Sequence, residues 1–431
     1  MRLLFVTPYF PPEVGAAQAR IHELAVRLAR MGHDVRVLTT FPNYPSGVVA
    51  PEWRGKLFCR HSSDGLTIYR VWSYAAANRG FFKRIVAHLS FAVLASAVSL
   101  VLPRPDALIV ESPPLFDGFI GVTANVLRRI PYLFMVSDLW PESAVQMGAL
   151  KNRFLIRAAK SIELLFYRRS AAVLALTAGI RNGIIADRIH SDKVLLFRNS
   201  VDCDFFHPGL ATCGLRAEMG VKDSDFLVVY AGTLGMAHNL STALEAAALL
   251  QSEGAASVRF VLAGDGADCA RLKAQAEELG LENVSFLAPL NKARVPQLLN
   301  AADSVLVPLR NLEIFRGALP TKMFEAMACA KPVLLGVRGE AEELIGAAGA
   351  GYCIDPESPA ALRDAVLALR EDPAKARQMG ENGRKYVEKH FRREMRAREL
   401  SKALESLLDS SGRASTVMCA HPESSPTGES F

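Results

Sequence analysis

Two ionisable residues late in the chain have a type and spacing that suit chemistry on a nucleotide. Lys322 and Glu325 stand three positions apart in LPTKMFEAMACAKP, residues 319–332, where the pattern predicts the start of a helix. The free N–H groups and partial positive charge of a helix start favour a phosphate, and a carboxylate one turn further accepts hydrogen bonds from sugar hydroxyls. An ordinary amphipathic helix would explain the apolar residues here but not a lysine and a glutamate together. We therefore predict a nucleotide site.

The elements that must position this pair alternate between strand and helix along the whole chain. Short apolar runs predict strands at 3–7, 35–39, 107–110, 132–136 and 173–176, and again at 226–230, 259–263, 284–287, 304–307 and 332–335. Helical apolar spacing covers 20–31, 241–253 and 269–279. This alternation predicts an α/β protein with two doubly wound domains. Such domains bind ligands at the carboxyl ends of their strands, so the working site should lie between them.

Shifts in composition predict where the domains begin and end. The polar stretch that starts with RNSVDCDFFHP interrupts the alternation, and the last residues are rich in Ser, Pro and Gly. Low hydrophobicity of this kind indicates disorder. We expect an N-terminal domain over 1–198, a linker over 199–225, a C-terminal domain over 226–375, helices over 376–408 that pack back on the N-terminal domain, and a disordered tail over 409–431.

Charge and cysteine usage exclude several classes of protein. Residues 1–200 hold 25 Lys and Arg against 13 Asp and Glu, whereas the rest of the chain holds 25 against 31. A basic first half suits a surface that faces anionic lipid or phosphate, and no basic–aromatic motif of a nucleic-acid module accompanies it. The seven scattered cysteines have no CxxC spacing, which argues against a disulfide framework or a zinc site and fits a reducing cytoplasm.

One segment, residues 81–102, is unusually apolar for a soluble domain. Its apolar length just reaches the minimum needed for a transmembrane helix. His88 and three serines weaken that interpretation, and a true span would pull the next predicted strand, at 107–110, out of its sheet. Two interpretations stay open: a buried helix, or a helix that lies on a membrane surface.

Three further motifs carry weaker signals. Gly15 and Ala16 end a Pro-rich loop before the first helix, where small residues let backbone N–H groups approach a diphosphate or an acceptor; an ordinary turn is the alternative. Asp138 in SDLWPES follows a strand directly, so it is either a site residue or a helix cap. In VLAGDGADC, Gly264 opens a tight turn, but Cys269 occupies the third glycine position of the dinucleotide fingerprint and argues against NAD.

Taken in order, these motifs resemble the GT-B glycosyltransferases of family 4. The resemblance covers about residues 1–405 and runs through TPYFPPEVGAAQAR, DLWPES, FRNSVD, YAGTLG, LAGDG and LPTKMFEAMACAKPVL. The chain is most similar to the branch that builds bacterial surface polysaccharides, near the N-acetyl-fucosamine and colanic-acid transferases. This implies the GT-B fold, in which two Rossmann-like domains face a cleft.

The resemblance also implies a reaction. We expect a retaining, metal-independent and cofactor-free transfer of an N-acetylated or deoxy hexose from a nucleotide diphosphate-sugar, UDP-linked, to a saccharide on a polyprenyl diphosphate in O-antigen, capsule or exopolysaccharide synthesis. The enzyme would work in the cytoplasm, at the inner face of the cytoplasmic membrane, which it would contact through residues 81–102. Two alternatives stay open: an epimerase or hydrolase of nucleotide sugars on the same fold, and a non-catalytic partner subunit.

Residue roles follow from the resemblance where the motifs match. The second glutamate of the family's acidic motif, which binds the ribose, falls on Glu325, but the first falls on Gly317. Glu313 or another group would have to replace that first glutamate. The family's Arg and Lys after the YAG strand fall on Thr233, which is uncharged, and His238, which is only partly charged. We therefore expect Lys322, with help from Arg316 and the helix start, to supply the missing positive charge for the leaving diphosphate.

The expected site is therefore divided between the domains. Ser137 stands where many relatives carry His, which raises the importance of Asp138; with Lys322, Asp138 is our expected catalytic residue. The expected donor-binding set is Gly232, Thr233, His238, Gly264, Arg316, Leu319, Lys322 and Glu325, the acceptor-binding set is Gly15, Ala16 and Arg20, and no metal ligand is expected.

Overall fold

The computed structural model describes residues 1–13, 15–44, 47–75, 81–146, 148, 150–212, 214–255 and 257–417. In chain order, the first half contains β1 (Arg2–Val6), α1 (Ala16–Arg30), β2 (Asp34–Thr40), β3 (Phe58–Ser63), β4 (Leu66–Val71), α2 (Phe81–Val101), β5 (Ala107–Ser112), α3 (Gly118–Arg128), β6 (Tyr132–Val136), α4 (Glu142–Gln146), α5 (Arg153–Arg169), β7 (Ala172–Ala175), α6 (Ala178–Ala186) and β8 (Val194–Leu196). Among the strands described, these eight form one sheet in the order β3-β4-β2-β1-β5-β6-β7-β8, in which only β3 is antiparallel to its neighbour.

The second half repeats the same architecture. It contains α7 (Leu215–Glu218), β9 (Phe226–Ala231), α8 (Ser241–Ser252), β10 (Val258–Ala263), α9 (Cys269–Glu278), β11 (Val284–Leu287), α10 (Arg294–Ala301), β12 (Ser304–Pro308), α11 (Thr321–Ala328), β13 (Val333–Gly336), α12 (Glu340–Ala348), β14 (Gly351–Cys353), α13 (Pro359–Glu371), α14 (Pro373–His390) and α15 (Arg393–Val417). Its parallel six-stranded sheet has the order β11-β10-β9-β12-β13-β14. The prediction of two doubly wound domains is confirmed. Helices cover both faces of each sheet, which is why the strands appear in the sequence as short continuous apolar runs.

The sequence analysis missed one hairpin, formed by β3 and β4. The turn between them is Asp64-Gly65, and both residues have positive φ, 53° and 78°. That conformation matches the right-handed twist of the flanking strands, so Asp-Gly is a strong local hairpin signal. The signal was present in the sequence, but β3 is largely exposed and its apolar pattern is weak.

The predicted boundaries after the linker need correction. Val201, Cys203 and Phe206 of the expected linker are buried in the core of the C-terminal domain. The helix α14 also belongs to that domain, and it is continuous through Gly380 and Gly383. These glycines let α14 pack closely on the domain, since a Cβ at Gly380 would overlap the carbonyl oxygen of Ala330 in the turn after α11. The chain therefore returns to the N-terminal domain with α15, not at residue 376.

The helix α15 packs on the N-terminal domain. Its residues Ala397, Leu400 and Leu404 are buried in the same core as α1 and the eight-stranded sheet. It continues to Val417, past the expected boundary at 408. Residues 418–431 lie outside the described residues, so disorder there stays a prediction.

The apolar segment forms a helix, α2, that is buried along one face only. Within the described residues it is the one helix whose length and composition would allow it to cross a membrane; its mean hydropathy is 1.8, and 22% of the 82–101 window is buried. Phe91, Ala95 and Ser99 face the domain, whereas Val93 is 71% and Val101 81% exposed. A buried helix therefore does not describe this segment.

Candidate active site

Two glycines at the ends of neighbouring strands leave room for the Lys322 side chain. Gly232 follows β9 and Gly264 follows β10, with φ of 145° and 144°. These φ values are ones that residues with a Cβ rarely adopt. A Cβ on Gly264 would overlap the carbonyl oxygen of Gly232, and a Cβ on Gly232 would lie 2.8 Å from Lys322 Nζ. The end of β10 thus packs against the end of β9, which in turn contacts Lys322 in the first turn of α11.

The Lys322 ammonium has no carboxylate within ion-pair distance among the described residues. Its Nζ lies 5.2 Å from the centroid of the Tyr230 ring, a distance at which a cation is attracted to the aromatic face. Burial lowers the pKa of Lys322, and the Glu325 carboxylate opposes that shift. Among the residues described, none pairs with Lys322 in an ion pair or hydrogen bond, so its three N–H donors remain available for a ligand.

One turn further along α11, the Glu325 carboxylate is also without a partner. Burial raises the pKa of Glu325, while Lys322 and then Arg393 oppose the rise. No group in the described part of the chain hydrogen-bonds this carboxylate. An acceptor of this kind, partly buried and unpaired, suits a pair of hydroxyls such as those of a ribose.

His238, a second position of the expected donor site where the family carries a basic residue, is uncharged in the folded protein. Burial, and then the nearby Lys322, lower the pKa of His238 to about 4, so its imidazole is neutral at pH 7. His238 Nδ1 lies 3.3 Å from the Pro308 carbonyl oxygen. Thr233 is exposed, and its carbonyl accepts a hydrogen bond of 2.6 Å from the Tyr230 hydroxyl. Of Thr233, His238 and Lys322, only Lys322 is therefore able to supply a positive charge at neutral pH.

Two members of the expected donor set do not join this cluster. Arg316 is exposed and pairs with Glu313, with 3.0 Å between Nε and Oε2. Leu319 is 5% exposed and belongs to the domain core. The expectation that Arg316 assists Lys322, and that Glu313 replaces the family's first glutamate, gains no support from this geometry, because the two side chains hold each other.

On the N-terminal side, Arg20 is a buried structural residue. Its guanidinium pairs with Glu111, and its Nη2 donates to Ser137 Oγ at 2.6 Å. Thr7 Oγ1 donates to the other Glu111 oxygen at 2.8 Å. The expected direct contact of Arg20 with an acceptor does not fit a side chain that lies beneath the surface; Arg20 instead positions the Ser137 hydroxyl.

The other N-terminal candidates lie at helix starts. Gly15 precedes α1, and Ala16 is its first residue, so both lie at a helix start, and their contact with an acceptor stays a prediction. The Asp138 carboxylate accepts hydrogen bonds from the Ser143 side chain and the Leu139 N–H, and burial raises its pKa. None of these donors is a backbone N–H of α4, so the contacts do not make Asp138 the cap of that helix, and its catalytic role stays a prediction.

The domains touch at Gly317, the position of the family's first glutamate, to which the sequence alone assigned no role. A Cβ on Gly179, in the first turn of α6, would lie 2.8 Å from Gly317 Cα, and a Cβ on Gly317 would lie 3.1 Å from Gly179 Cα. Beside this contact, Glu340 at the start of α12 accepts hydrogen bonds from the Ala178 and Gly179 N–H groups at 2.8 and 3.2 Å. The residue at the family's first glutamate position is therefore an inter-domain contact.

A second contact between the domains lies next to Glu325. Glu23 of α1 accepts from Lys292 of the C-terminal domain at 2.5 Å and pairs with Arg393 at the start of α15. Arg393 and Lys292 also act electrostatically on Glu325. None of these residues belongs to a motif, and their sequence separation explains why sequence reasoning did not connect them.

Comparison with known proteins defines the class of this protein. Residues 15–200 match the family model "Glycosyl transferase 4-like domain", and residues 215–386 match "Glycosyl transferases group 1". The chain is a glycosyltransferase of the GT-B fold, with a 4-like N-terminal domain and a group 1 C-terminal domain. The resemblance on which the sequence analysis relied is confirmed.

Individual relatives agree with this assignment. The chain is 25% identical over 388 residues to the "Putative colanic acid biosynthesis glycosyl transferase WcaI" of Escherichia coli K12, covering 86% of this chain and 92% of that one. Among solved structures, sucrose-phosphate synthase from Thermosynechococcus elongatus has a TM-score of 0.75 at 18% identity and covers 95% of this chain and 99% of its own. Anabaena HepE in complex with UDP-glucose has a TM-score of 0.71 at 19% identity, with 94% and 100% covered.

Proposed function

We propose that this glycosyltransferase takes a sugar from a nucleoside diphosphate-sugar, UDP-linked, and transfers it with retention to a saccharide on a polyprenyl diphosphate during surface-polysaccharide synthesis. The observation that carries the donor half is the pair Lys322 and Glu325. Each is partly buried and has no partner among the described residues, although an unpaired buried charge is costly. A diphosphate beside Lys322 and a ribose beside Glu325 would satisfy both.

The chemistry assigned to Lys322 is stabilisation of the leaving nucleoside diphosphate. As the glycosidic bond breaks, negative charge develops on the diphosphate, and a fixed ammonium in a dry site stabilises it. The first-turn N–H groups of α11 add to this effect. The transition state is oxocarbenium-like, so the remaining contribution of the protein is to hold acceptor and donor in position. A metal ion has no role in this proposal, and no cofactor enters it.

The acceptor half of the proposal is supported by α2 and by the basic N-terminal domain. Phe82, Val86, Leu89 and Val93 form an exposed apolar stripe that begins beside Lys83. Such a helix is suited to rest on an anionic membrane surface. A cytoplasmic enzyme bound to the inner face of the membrane would reach a lipid-linked acceptor there. The similarity to a putative colanic acid transferase supports the proposed acceptor, and the similarity to a structure that holds UDP-glucose supports the proposed donor.

The test is an assay of the full chain with UDP-, GDP- and TDP-sugars, with and without lipid-diphosphate acceptors, in which products are identified by mass spectrometry. We expect a glycosylated lipid from a UDP-sugar. A donor that is epimerised or hydrolysed equally well without acceptor would support the epimerase alternative. Failure to bind any nucleotide sugar would support a non-catalytic subunit.

A variant pair sharpens the assay. Lys322→Ala should lower turnover about 100-fold, the typical cost of one lost transition-state donor, with a smaller effect on donor affinity. Lys273→Ala removes an exposed lysine of the same domain and should change neither quantity. Unchanged turnover in Lys322→Ala would contradict the assigned role.

A further inference from the structure

A pocket lies in the N-terminal domain, away from Lys322 and Glu325. It is formed at the carboxyl ends of β1, β2 and β4 and is closed on one side by the first half of α2. Its volume is about 480 Å³, counting the part open to solvent. Tyr9, Tyr44 and Tyr74 contribute to its walls, together with Arg84 and His88 of α2.

The walls of this pocket suit a sugar ring. Tyr9 and Tyr44 meet edge to face with 5.5 Å between ring centroids, and Tyr74 is 40% exposed. His88 Nε2 and the Tyr9 hydroxyl are 3.2 Å apart, and burial lowers the pKa of His88 to about 4, so this pair is neutral at pH 7. Apolar aromatic walls with a few placed hydrogen-bonding groups are typical of small-ligand sites.

Arg84 gives the pocket a guanidinium that forms no ion pair with the described residues. Within the described part of the chain, no carboxylate lies within ion-pair distance of its guanidinium. The carboxylate that lines the same pocket, Glu13, accepts hydrogen bonds from the Asn43 and Tyr44 N–H groups at 2.7 Å each and so holds the loop after β2. A free guanidinium at the rim favours a phosphate, which it can bind through two parallel hydrogen bonds.

The position of α2 indicates from which side a ligand arrives. The helical period places Arg84, His88 and Phe91 on the face toward the pocket, and Val86, Leu89 and Val93 on the opposite, exposed face. One helix therefore separates the pocket from the surface that we propose lies on the membrane.

We propose that this pocket binds the first sugar and the adjoining phosphate of the glycosyl diphosphate acceptor, with Arg84 on the phosphate and Tyr74 on the sugar. This inference rests on the proposed function and adds the place at which the acceptor is held. It replaces Arg20, which is buried, by residues that line an open cavity.

The experiment compares Arg84→Ala with Lys83→Ala. The two residues are adjacent and exposed in the first turn of α2, so both variants remove one positive charge from the membrane-facing end of the helix, but only Arg84 lines the pocket. Affinities for sugar 1-phosphates (glucose, galactose, fucose and N-acetylglucosamine) and for their farnesyl diphosphate derivatives are measured by titration calorimetry. Affinity for UDP, in the other domain, reports correct folding.

We expect at least one sugar phosphate to bind the wild type and Lys83→Ala equally, and Arg84→Ala about tenfold or more weakly, as for the loss of a hydrogen bond to a charged group. Tyr74→Ala should weaken the same ligand, and Tyr74→Phe should not. The lipid-free and lipid-linked probes distinguish recognition of the sugar phosphate from attachment of the lipid. Binding of only the lipid-linked probes, unchanged in Arg84→Ala, would overturn the proposal, as would no binding of any probe.

The outcomes also separate this inference from the proposed function. Transfer to a lipid acceptor with the same KM in Arg84→Ala and wild type would leave the function intact and reject the pocket. Arg84-dependent binding without transfer from any nucleotide sugar would leave the pocket intact and reject the function.

Discussion

Replacing Gly179 by alanine should separate stability of the fold from closure of the two domains. Gly179 lies in the first turn of α6, where alanine is favoured over glycine by up to about 1 kcal/mol, so the N-terminal domain should be as stable or more stable. The new Cβ, however, would lie 2.8 Å from Gly317 Cα, closer than carbon atoms approach in packed proteins, where separations of about 3.5–4.0 Å are optimal. The domains must therefore move apart by roughly 1 Å.

That movement also lengthens the two hydrogen bonds from the Ala178 and Gly179 N–H groups to Glu340, now 2.8 and 3.2 Å. Hydrogen bonds to a charged group contribute about 1.5–3 kcal/mol each. Because Gly179 is exposed and the two bonds are lengthened rather than removed, we expect a loss of about 1.5 kcal/mol for the pair, half of the low-end sum. A loss of this size lowers the ratio of closed to open molecules about tenfold, and turnover should fall by up to that factor because the proposed reaction brings acceptor and donor together across the cleft.

The assay is steady-state turnover together with UDP affinity, since UDP is expected to bind the C-terminal domain alone. Gly346→Ala is the matched control, because Gly346 is also helical and its Cβ would have no atom within 4 Å. Turnover should fall and UDP affinity stay constant in Gly179→Ala, with neither changed in Gly346→Ala. Full turnover in Gly179→Ala would refute the argument that this glycine contact belongs to the working conformation.

Three further predictions follow from the same structure. Gly232→Ala should lower turnover by displacing Lys322 while leaving the N-terminal domain unaffected, which separate unfolding transitions would report. Burial, and then the neighbouring Glu111, raise the pKa of Asp117 above 3.8, and neither of its oxygens has a hydrogen-bond partner in the described structure. The folded state thus holds the Asp117 proton more tightly than the unfolded state, so stability is lost as pH rises above about 3.8. Asp117→Asn should raise Tm and make it depend less on pH. A pH profile of Tm that is unchanged in this variant would contradict a protonated Asp117 in the folded state. Arg20→Ala should cost about 3–5 kcal/mol in the free energy of unfolding because it leaves Glu111 buried and unpaired, and Arg20→Met with Glu111→Gln should recover most of it in chemical denaturation.

The elements that the sequence predicted well share a physical property: their signal is local. Strands such as β6, buried on both faces, are continuous apolar runs, and the first helix shows apolar spacing of one turn. Lys322 and Glu325 could be recognised as a pair because a helix places residues three apart on one face. The Asp64-Gly65 hairpin was equally local, and it was missed because its exposed strand β3 lacked the apolar pattern that drew attention elsewhere.

Properties that depend on surroundings were not predictable in this way. Arg20 was assigned to the acceptor from its position after a loop, but its burial against Glu111 depends on a strand ninety residues away. His238 was expected to be partly charged, and only the packing of Lys322 and the surrounding core makes it neutral. Burial and Coulomb interactions set a pKa, and neither can be derived from residue spacing.

The sequence by itself therefore determined two doubly wound domains, a helix start that carries a lysine and a glutamate one turn apart, and membership of a glycosyltransferase family. Tertiary structure alone decided that Gly317 is an inter-domain contact, that Arg20 is buried against Glu111, and that Arg84 faces a pocket rather than the exposed apolar side of α2. The physical reason is the range of the interactions: backbone propensity and apolar periodicity act over one or two turns, whereas close packing and the pairing of charges join residues that are far apart in the chain.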